Sequence, residues 1–281
     1  MIILRTLGSV DLLDSAGQPV SSILAQPKRF GLLVFLACAQ PRGLHRRDTL
    51  LGLLWPELDE ARARNALSQS LSFLRRNLPE EVIVCRGAEE VGIDQEALAV
   101  DAHDFGLALE EGRWADALEL HRGAFLRGFN LDKAWEFGDW AHGERERLQE
   151  AAAGAAWALA QEHIRAGGLV EAERTGQKAM DLVWSDETPV RQFILSLAAA
   201  GDRAAALRFF ERFCARLQSE LEVEPSAETV AAAERIRSDA GVPPSSASSA
   251  EPAPRGPPFI PATPASTLPA GEEPNQSTVP S

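Results

Sequence analysis

Six polar side chains spaced along residues 62–78 could do chemistry on a nucleic acid. Arg64, Asn65, Ser68, Gln69, Ser72 and Arg76 recur at short helical intervals, with Arg75 at their margin. At about 100° per residue these positions share one side of a helix. The set combines cations with amides and hydroxyls and contains no carboxylate. Amides and hydroxyls can exchange hydrogen bonds with base edges in a major groove, while guanidinium groups pair with phosphate oxygens wherever the backbone passes. The opposite side reads Ala63, Leu67, Leu71, Leu74 and Leu78, an apolar stripe that needs a core beneath it. An ordinary solvated helix face has the same composition, so the flanking elements have to decide between the two.

Those elements come in a definite order. Residues 2–7 and 10–13 are rich in strand formers, and Asp14-Ser15-Ala16-Gly17 is a turn signal, so residues 2–24 read as short strands. Pro27 opens a helix that runs to about Ala39, with Phe30, Leu33, Val34 and Ala37 on one face, and Pro41-Arg42-Gly43 breaks it. A second helix runs from about Arg47 to Trp55 and stops at Pro56; Trp55 and Leu67 are expected in the core. The basic helix follows, ended by Pro79. Val82-Ile83-Val84-Cys85 and Val91-Gly92-Ile93, on either side of Arg86-Gly87-Ala88, read as a hairpin. Strands, three helices and a hairpin in this order describe a winged helix.

Charge is distributed to match. The formal net charge of −13 argues against nucleic acid when the chain is taken whole. Between Gln26 and Arg86, however, ten cations stand against six acids, a local balance of +4. A basic module on an acidic body can bind DNA locally while the body discourages non-specific adhesion. Cys38, Cys85 and Cys214 are far apart and lack metal-ligand spacing, which points to a reducing, cytoplasmic setting with no bound metal. The start lacks the long apolar region of a signal peptide, and no stretch approaches the ~20 apolar residues of a membrane span. No phosphate loop, nucleophile elbow or zinc-protease helix is present, so neither an enzyme nor a cofactor is expected. The histidines are scattered and read as surface or helix-end residues.

Residues 1–100 resemble the winged-helix domain of response-regulator effectors, in the version found in SARP-type antibiotic-pathway regulators. The resemblance is carried by Pro27-Lys28-Arg29, by the run from Asp48 to Trp55, and by Arg64-Asn65-Ala66-Leu67 followed by Leu74-Arg75-Arg76-Asn77-Leu78. It implies that the third helix enters the major groove and that the hairpin touches the adjacent minor groove or backbone. Asn65, Ser68, Gln69 and Ser72 would then face bases, and Arg75 and Arg76 would meet phosphates. Arg46, Arg47 and Arg86 complete the DNA-binding set. The chain departs from the pattern twice. Glu89-Glu90-Val91-Gly92 stands where a Gly-Tyr pair is common, and Phe73 stands where a cation is frequent.

Beyond a link over residues 94–100 the chain reads as helical to about residue 239. Gly112, Gly168 and Gly201 each end one helix and precede a run of small residues that starts the next. Gly168 and Gly201 are 33 residues apart, close to the tetratricopeptide period of about 34. A generic helical bundle is the plainer alternative. Residues 101–239 resemble the bacterial transcriptional activation domain that follows the winged helix in SARP-type regulators. The opening Val100-Asp101-Ala102-His103-Asp104-Phe105 and the closing Glu220-Leu221-Glu222-Val223-Glu224-Pro225-Ser226-Ala227-Glu228-Thr229 carry it. Residues 240–281, dominated by Pro, Ser and Ala, are expected to be disordered and dispensable, either a plain tail or a spacer to a further module.

The expected fold is mainly α with a small β part: an N-terminal winged helix-turn-helix and a C-terminal tetratricopeptide-like all-α domain. The expected function is a sequence-specific transcriptional regulator, an activator by resemblance. Its partners would be double-stranded DNA, RNA polymerase or another transcription component, and a second copy of itself on DNA, with no membrane. Trp135, Phe137 and Trp140 have no evident partner in sequence and are expected to offer the contact between copies. The alternative is a helical-repeat scaffold whose basic face binds an acidic protein.

Overall fold

The computed structural model describes residues 1–238, so the expected tail over 240–281 lies outside the described residues. The chain begins with two short antiparallel strands, β1 (Ile2–Arg5) and β2 (Asp11–Leu13), with Ile3 opposite Leu13. A one-turn helix, α1 (Ser21–Leu24), replaces the last of the expected strand region and buries Ile23. Then come α2 (Pro27–Cys38), with proline in its first turn, a two-residue strand β3 (His45–Arg46), α3 (Arg47–Leu54), and α4 (Glu60–Asn77). The hairpin is β4 (Ile83–Arg86) and β5 (Glu90–Ile93), turned at Gly87, whose φ of 60° suits glycine.

Two strands escaped the sequence reading because their partners are distant in the chain. β3 pairs with β5, giving a three-stranded sheet of order β3-β5-β4. The expected link to the second domain contains β6 (Leu98–Val100), which pairs in parallel with β1 and completes a second sheet of order β2-β1-β6.

The rest is helical: α5 (Asp101–Glu110), α6 (Trp114–Leu120), the long α7 (Trp135–Arg165), α8 (Leu169–Leu182), α9 (Glu187–Ala199), α10 (Arg203–Leu221) and α11 (Ala227–Ser238). Helix α7 packs along α8, α9 along α10, and α11 on both members of the second pair. The glycine turns are real, but between α7 and α8 the left-handed residue is Gly167 (φ 80°) and Gly168 serves as the N-cap. Asp202 caps α10 by accepting from the Ala205 N–H at 2.8 Å. Close approach of α8 and α9 depends on Gly176, where a Cβ would lie 2.6 Å from the Phe193 ring.

The first hydrophobic core runs from Ile2 to Ala152 without a break at residue 100. Its centre is an aromatic cluster. Phe30 meets Phe129 edge-on, Phe129 meets Phe137, and Trp140 contacts Phe35, Phe125 and Phe137, all with centroids 4.9–6.1 Å apart. Phe137 is buried and Trp140 half-buried in this cluster, which overturns the expectation that they wait for a second copy; Trp135 alone of the three is exposed. Gly31 lets α2 approach, since a Cβ there would sit 2.7 Å from Leu131. The same joint is fastened by a carboxylate. Asp101, at the start of α5, accepts from the Thr6 N–H (2.8 Å), the Thr6 hydroxyl (2.7 Å) and the Leu7 N–H (2.9 Å). A second core, from Ala160 to Ile236, holds α8 to α11 around Phe193, Phe209 and Phe213.

Candidate nucleic-acid interface

Helix α4 starts where Asp59 caps it, accepting from the Arg62 N–H at 2.9 Å. Its period decides which side is buried. Ala63, Leu67, Leu71, Leu74 and the following Leu78 are all buried, as are Trp55 beneath them and Ser70, whose hydroxyl donates to the Ala66 carbonyl at 2.8 Å. The opposite side is solvent: Arg64, Asn65, Ser68, Gln69, Ser72, Arg75 and Arg76 are each exposed. Among the described residues the side chains of Asn65, Ser68, Gln69 and the Ser72 hydroxyl form no hydrogen bond to protein, so their donors and acceptors remain open to another molecule.

The cations of this surface are of two kinds. Some are held by acids. Arg64 pairs with Glu60 at 2.8 Å and Asp48 at 3.2 Å. Arg46, on β3, lies 3.9 Å from Asp48. Arg86, at the hairpin turn, sits 2.5 Å from Glu90. The hydrogen bond from Arg86 and its charge hold the Glu90 carboxyl below the usual glutamate range. One of the two acids that set this hairpin apart is therefore neutralised internally. Glu89 is exposed, and its carbonyl accepts from the Arg47 N–H at 2.8 Å.

Other cations have no carboxylate partner among the described residues. Arg76 donates to the Ser72 carbonyl at 3.2 Å, a bond within its own helix. Arg75 reaches across to the hairpin and donates to the Cys85 sulfur at 2.8 Å. Arg47, half-buried at the start of α3, approaches the same sulfur at 3.8 Å, while its Nε is buried without a partner. His45 beside it packs at a tilt against Phe35, with ring centroids 5.2 Å apart, and burial lowers its pKa. The structure thus brings α4, the start of α3 and the hairpin to one surface, and all ten candidate residues lie on those elements or on β3.

Sequence reasoning missed Cys85 as the meeting point of Arg47 and Arg75, and Arg29 lying over the Phe73 ring at 4.1 Å. Both are contacts between elements, and neither leaves a periodic signal. Among the described residues no group of His, Cys, Asp or Glu is arranged to hold a metal ion, and no helix is long and apolar enough to cross a membrane.

The helical part defines the class of protein. Residues 92–237 match the family described as bacterial transcriptional activator domain, a span of more than half the chain. The chain belongs to this family. Among solved structures it is similar to Mycobacterium tuberculosis EmbR, determined in complex with a low-affinity phosphopeptide. The match has a TM-score of 0.62 and 22% sequence identity, and it covers 85% of this chain and 65% of the EmbR chain. At that identity the likeness is one of fold, and this chain spans less than two thirds of its neighbour. No curated protein matches the chain.

Proposed function

We propose that the chain binds double-stranded DNA sequence-specifically and activates transcription. Residues 1–100 would serve as a winged-helix DNA-binding module, residues 101–239 as the helical domain that meets RNA polymerase or another transcription component, and residues 240–281 as a tail. The observation that carries this reading is the far face of α4, an exposed, acid-free strip of unengaged hydrogen-bonding groups ending in Arg75 and Arg76 without acidic partners. Asn65, Ser68, Gln69 and Ser72 read base edges, and Arg75 and Arg76 hold phosphates. Arg47 supports the backbone contact. Arg46, Arg64 and Arg86 exchange a carboxylate for a phosphate when DNA arrives.

One helix covers few base pairs, and a single module buries only about 600–1,000 Å² of protein surface. Two copies on half-sites in the same orientation, about 10–10.5 base pairs apart or a multiple of that, would gain by effective concentration. Phe137 and Trp140 are committed to the core, so a contact between copies has to use other surfaces of the helical domain. A cytoplasmic location follows from a DNA partner.

DNA retention as a function of salt tests the reading. The affinity of the full chain for its operator should fall with a log–log slope of about −0.9 per phosphate neutralised. Retention that ignores salt would instead favour an acidic protein partner for the basic face.

A further inference from the structure

Phe73 interrupts the basic surface of α4, and the structure brings a cation to it from another helix. The Arg29 guanidinium, from the first turn of α2, lies 4.1 Å above the centre of the Phe73 ring. The contact is a cation–π one, and among the described residues the guanidinium makes no hydrogen bond to protein, so its N–H groups remain open to donate. The neighbouring Lys28 is engaged by Glu57 at 2.6 Å, whereas Arg29 has no carboxylate partner among the described residues.

The contact has a definite place on α4. Residues two apart on a helix lie about 160° from each other around its axis, so Phe73 and Arg75 border the exposed face on opposite sides. Arg75 borders it on the hairpin side, as its bond to Cys85 shows. Phe73 and Arg29 border it on the other. Beside them an open groove of about 470 Å³ runs between α2 and α4, lined by Arg29, Gln69 and, from the helical domain, Asn130 and Asp132. A major groove is about 12 Å wide, so a helix lying in it has a phosphate strand along each flank. Cations without acidic partners stand on the hairpin flank at Arg47 and Arg75. On the opposite flank Arg62 is paired with Asp59 at 3.3 Å, whereas Arg29 has no carboxylate partner among the described residues.

We propose that Arg29, positioned by the Phe73 ring, is a phosphate-binding residue that anchors the DNA strand across the major groove from the hairpin, in the groove shared with Asn130 of the helical domain. This rests on the DNA-binding reading above and adds a second backbone anchor to it, reaching residues of both halves of the chain.

Salt titration of operator binding and phosphate-ethylation interference, both on the full chain, test it. Arg29→Ala should flatten the salt slope by about 0.9, which amounts to ~3-fold between 50 and 200 mM salt. It should remove interference at phosphates on the strand away from the hairpin and keep it on the hairpin side. Phe73→Leu retains an apolar side chain but loses the ring, and should shift both readouts in the same direction by a smaller amount. Asn130→Arg changes an exposed side chain and adds a cation across the groove. It should steepen the slope and extend the interference on that same strand, so the test does not depend on Arg29→Ala folding. If Arg29→Ala and Asn130→Arg both leave slope and interference unchanged while Arg76→Ala flattens the slope, the second anchor is wrong and the DNA-binding reading stands. If wild type itself shows no salt-dependent retention, both fall together.

Discussion

Helices α4 and α10 each carry four arginines, yet the two sets are partnered differently. On α10 every arginine has an acceptor on another helix. Arg208 and Arg212 meet Glu173 of α8 at 3.5 and 2.8 Å, Arg212 also bonds Gln177 at 3.0 Å, and Arg216 meets Asp181 at 2.8 Å. Arg203 donates to the Ile236 carbonyl of α11. On α4 the pairing is divided. Arg62 and Arg64, in the first half, are satisfied by Asp59, Glu60 and Asp48, while Arg75 and Arg76, in the second half, find a sulfur and a carbonyl. Arginine content along a helix therefore does not mark a nucleic-acid surface. A guanidinium with no carboxylate in reach, and no partner on another helix, gains a partner when a phosphate approaches, whereas a paired one has to exchange its own.

The contrast holds only if α4 is carried on a rigid support, and removing that support gives the largest effect. Phe137 is buried between Phe129 and Trp140, where α7 meets the body that carries α2. Phe137→Ala should cost about 3–5 kcal/mol in unfolding free energy, read from urea melts of the full chain, and should reduce DNA binding at 37 °C in proportion. For the same reason a fragment ending at residue 100 should not melt cooperatively, since it leaves Phe30 and Phe35 without their α7-side partners. An unchanged urea midpoint for Phe137→Ala would mean that the aromatic cluster does not hold the two halves together.

How far the sequence speaks for each region follows from the same geometry. The two sides of α4 were legible because a 3.6-residue period is local information, and every residue assigned to the stripe or to the opposite face lies where the period puts it. The closing motif of the helical domain was visible as a motif, but its purpose was not. Ser226 binds the Glu187 carboxylate through its N–H (3.0 Å) and hydroxyl (2.6 Å), across 39 residues of sequence. Strands β3 and β6 were missed for a related reason, since two or three residues carry no pattern until a partner strand supplies one. Trp140 looked unpartnered because its neighbours Phe35 and Phe125 come from other elements. Which arginines are free was not legible either, because Asp48, Glu173 and Cys85 reach their partners only through the fold.

Within α4 the two chemistries should separate. Gln69→Ala removes a side chain that has no role in packing, and should lower discrimination between the matched site and one changed at a single base pair by about 1–3 kcal/mol. Binding to non-specific DNA should hardly move. The double variant Arg75→Ala and Arg76→Ala should do the reverse, weakening every sequence alike. Two lost phosphate contacts flatten the salt slope by about 1.8, or ~12-fold between 50 and 200 mM. Competition binding on matched, mismatched and scrambled duplexes at two salt concentrations resolves both predictions. Identical behaviour of the two variants would break the assignment of bases to one set and phosphates to the other.

The smallest effect is expected on α10, and it sharpens the comparison most. Arg212 bridges Glu173 and Gln177 and lies 5.3 Å from the centre of the Phe209 ring, yet its side chain is 40% exposed and that of Glu173 25%. Solvent reaches the pair, so its Coulombic gain is largely offset by hydration and by the entropy of holding two long side chains still. Arg212→Ala should therefore cost only about 0.2–1 kcal/mol. A double-mutant cycle with Glu173→Gln should recover most of that as coupling, and the coupling should shrink in 1 M salt, where the Debye length is about 3 Å. The salt slope of DNA binding should stay at the wild-type value, because α10 packs on α8, α9 and α11 and is not part of the surface made by α4, the start of α3 and the hairpin. A flattened slope for Arg212→Ala would place the α8–α10 ladder on DNA, and the surface of α4, the start of α3 and the hairpin would then be only part of what meets phosphate.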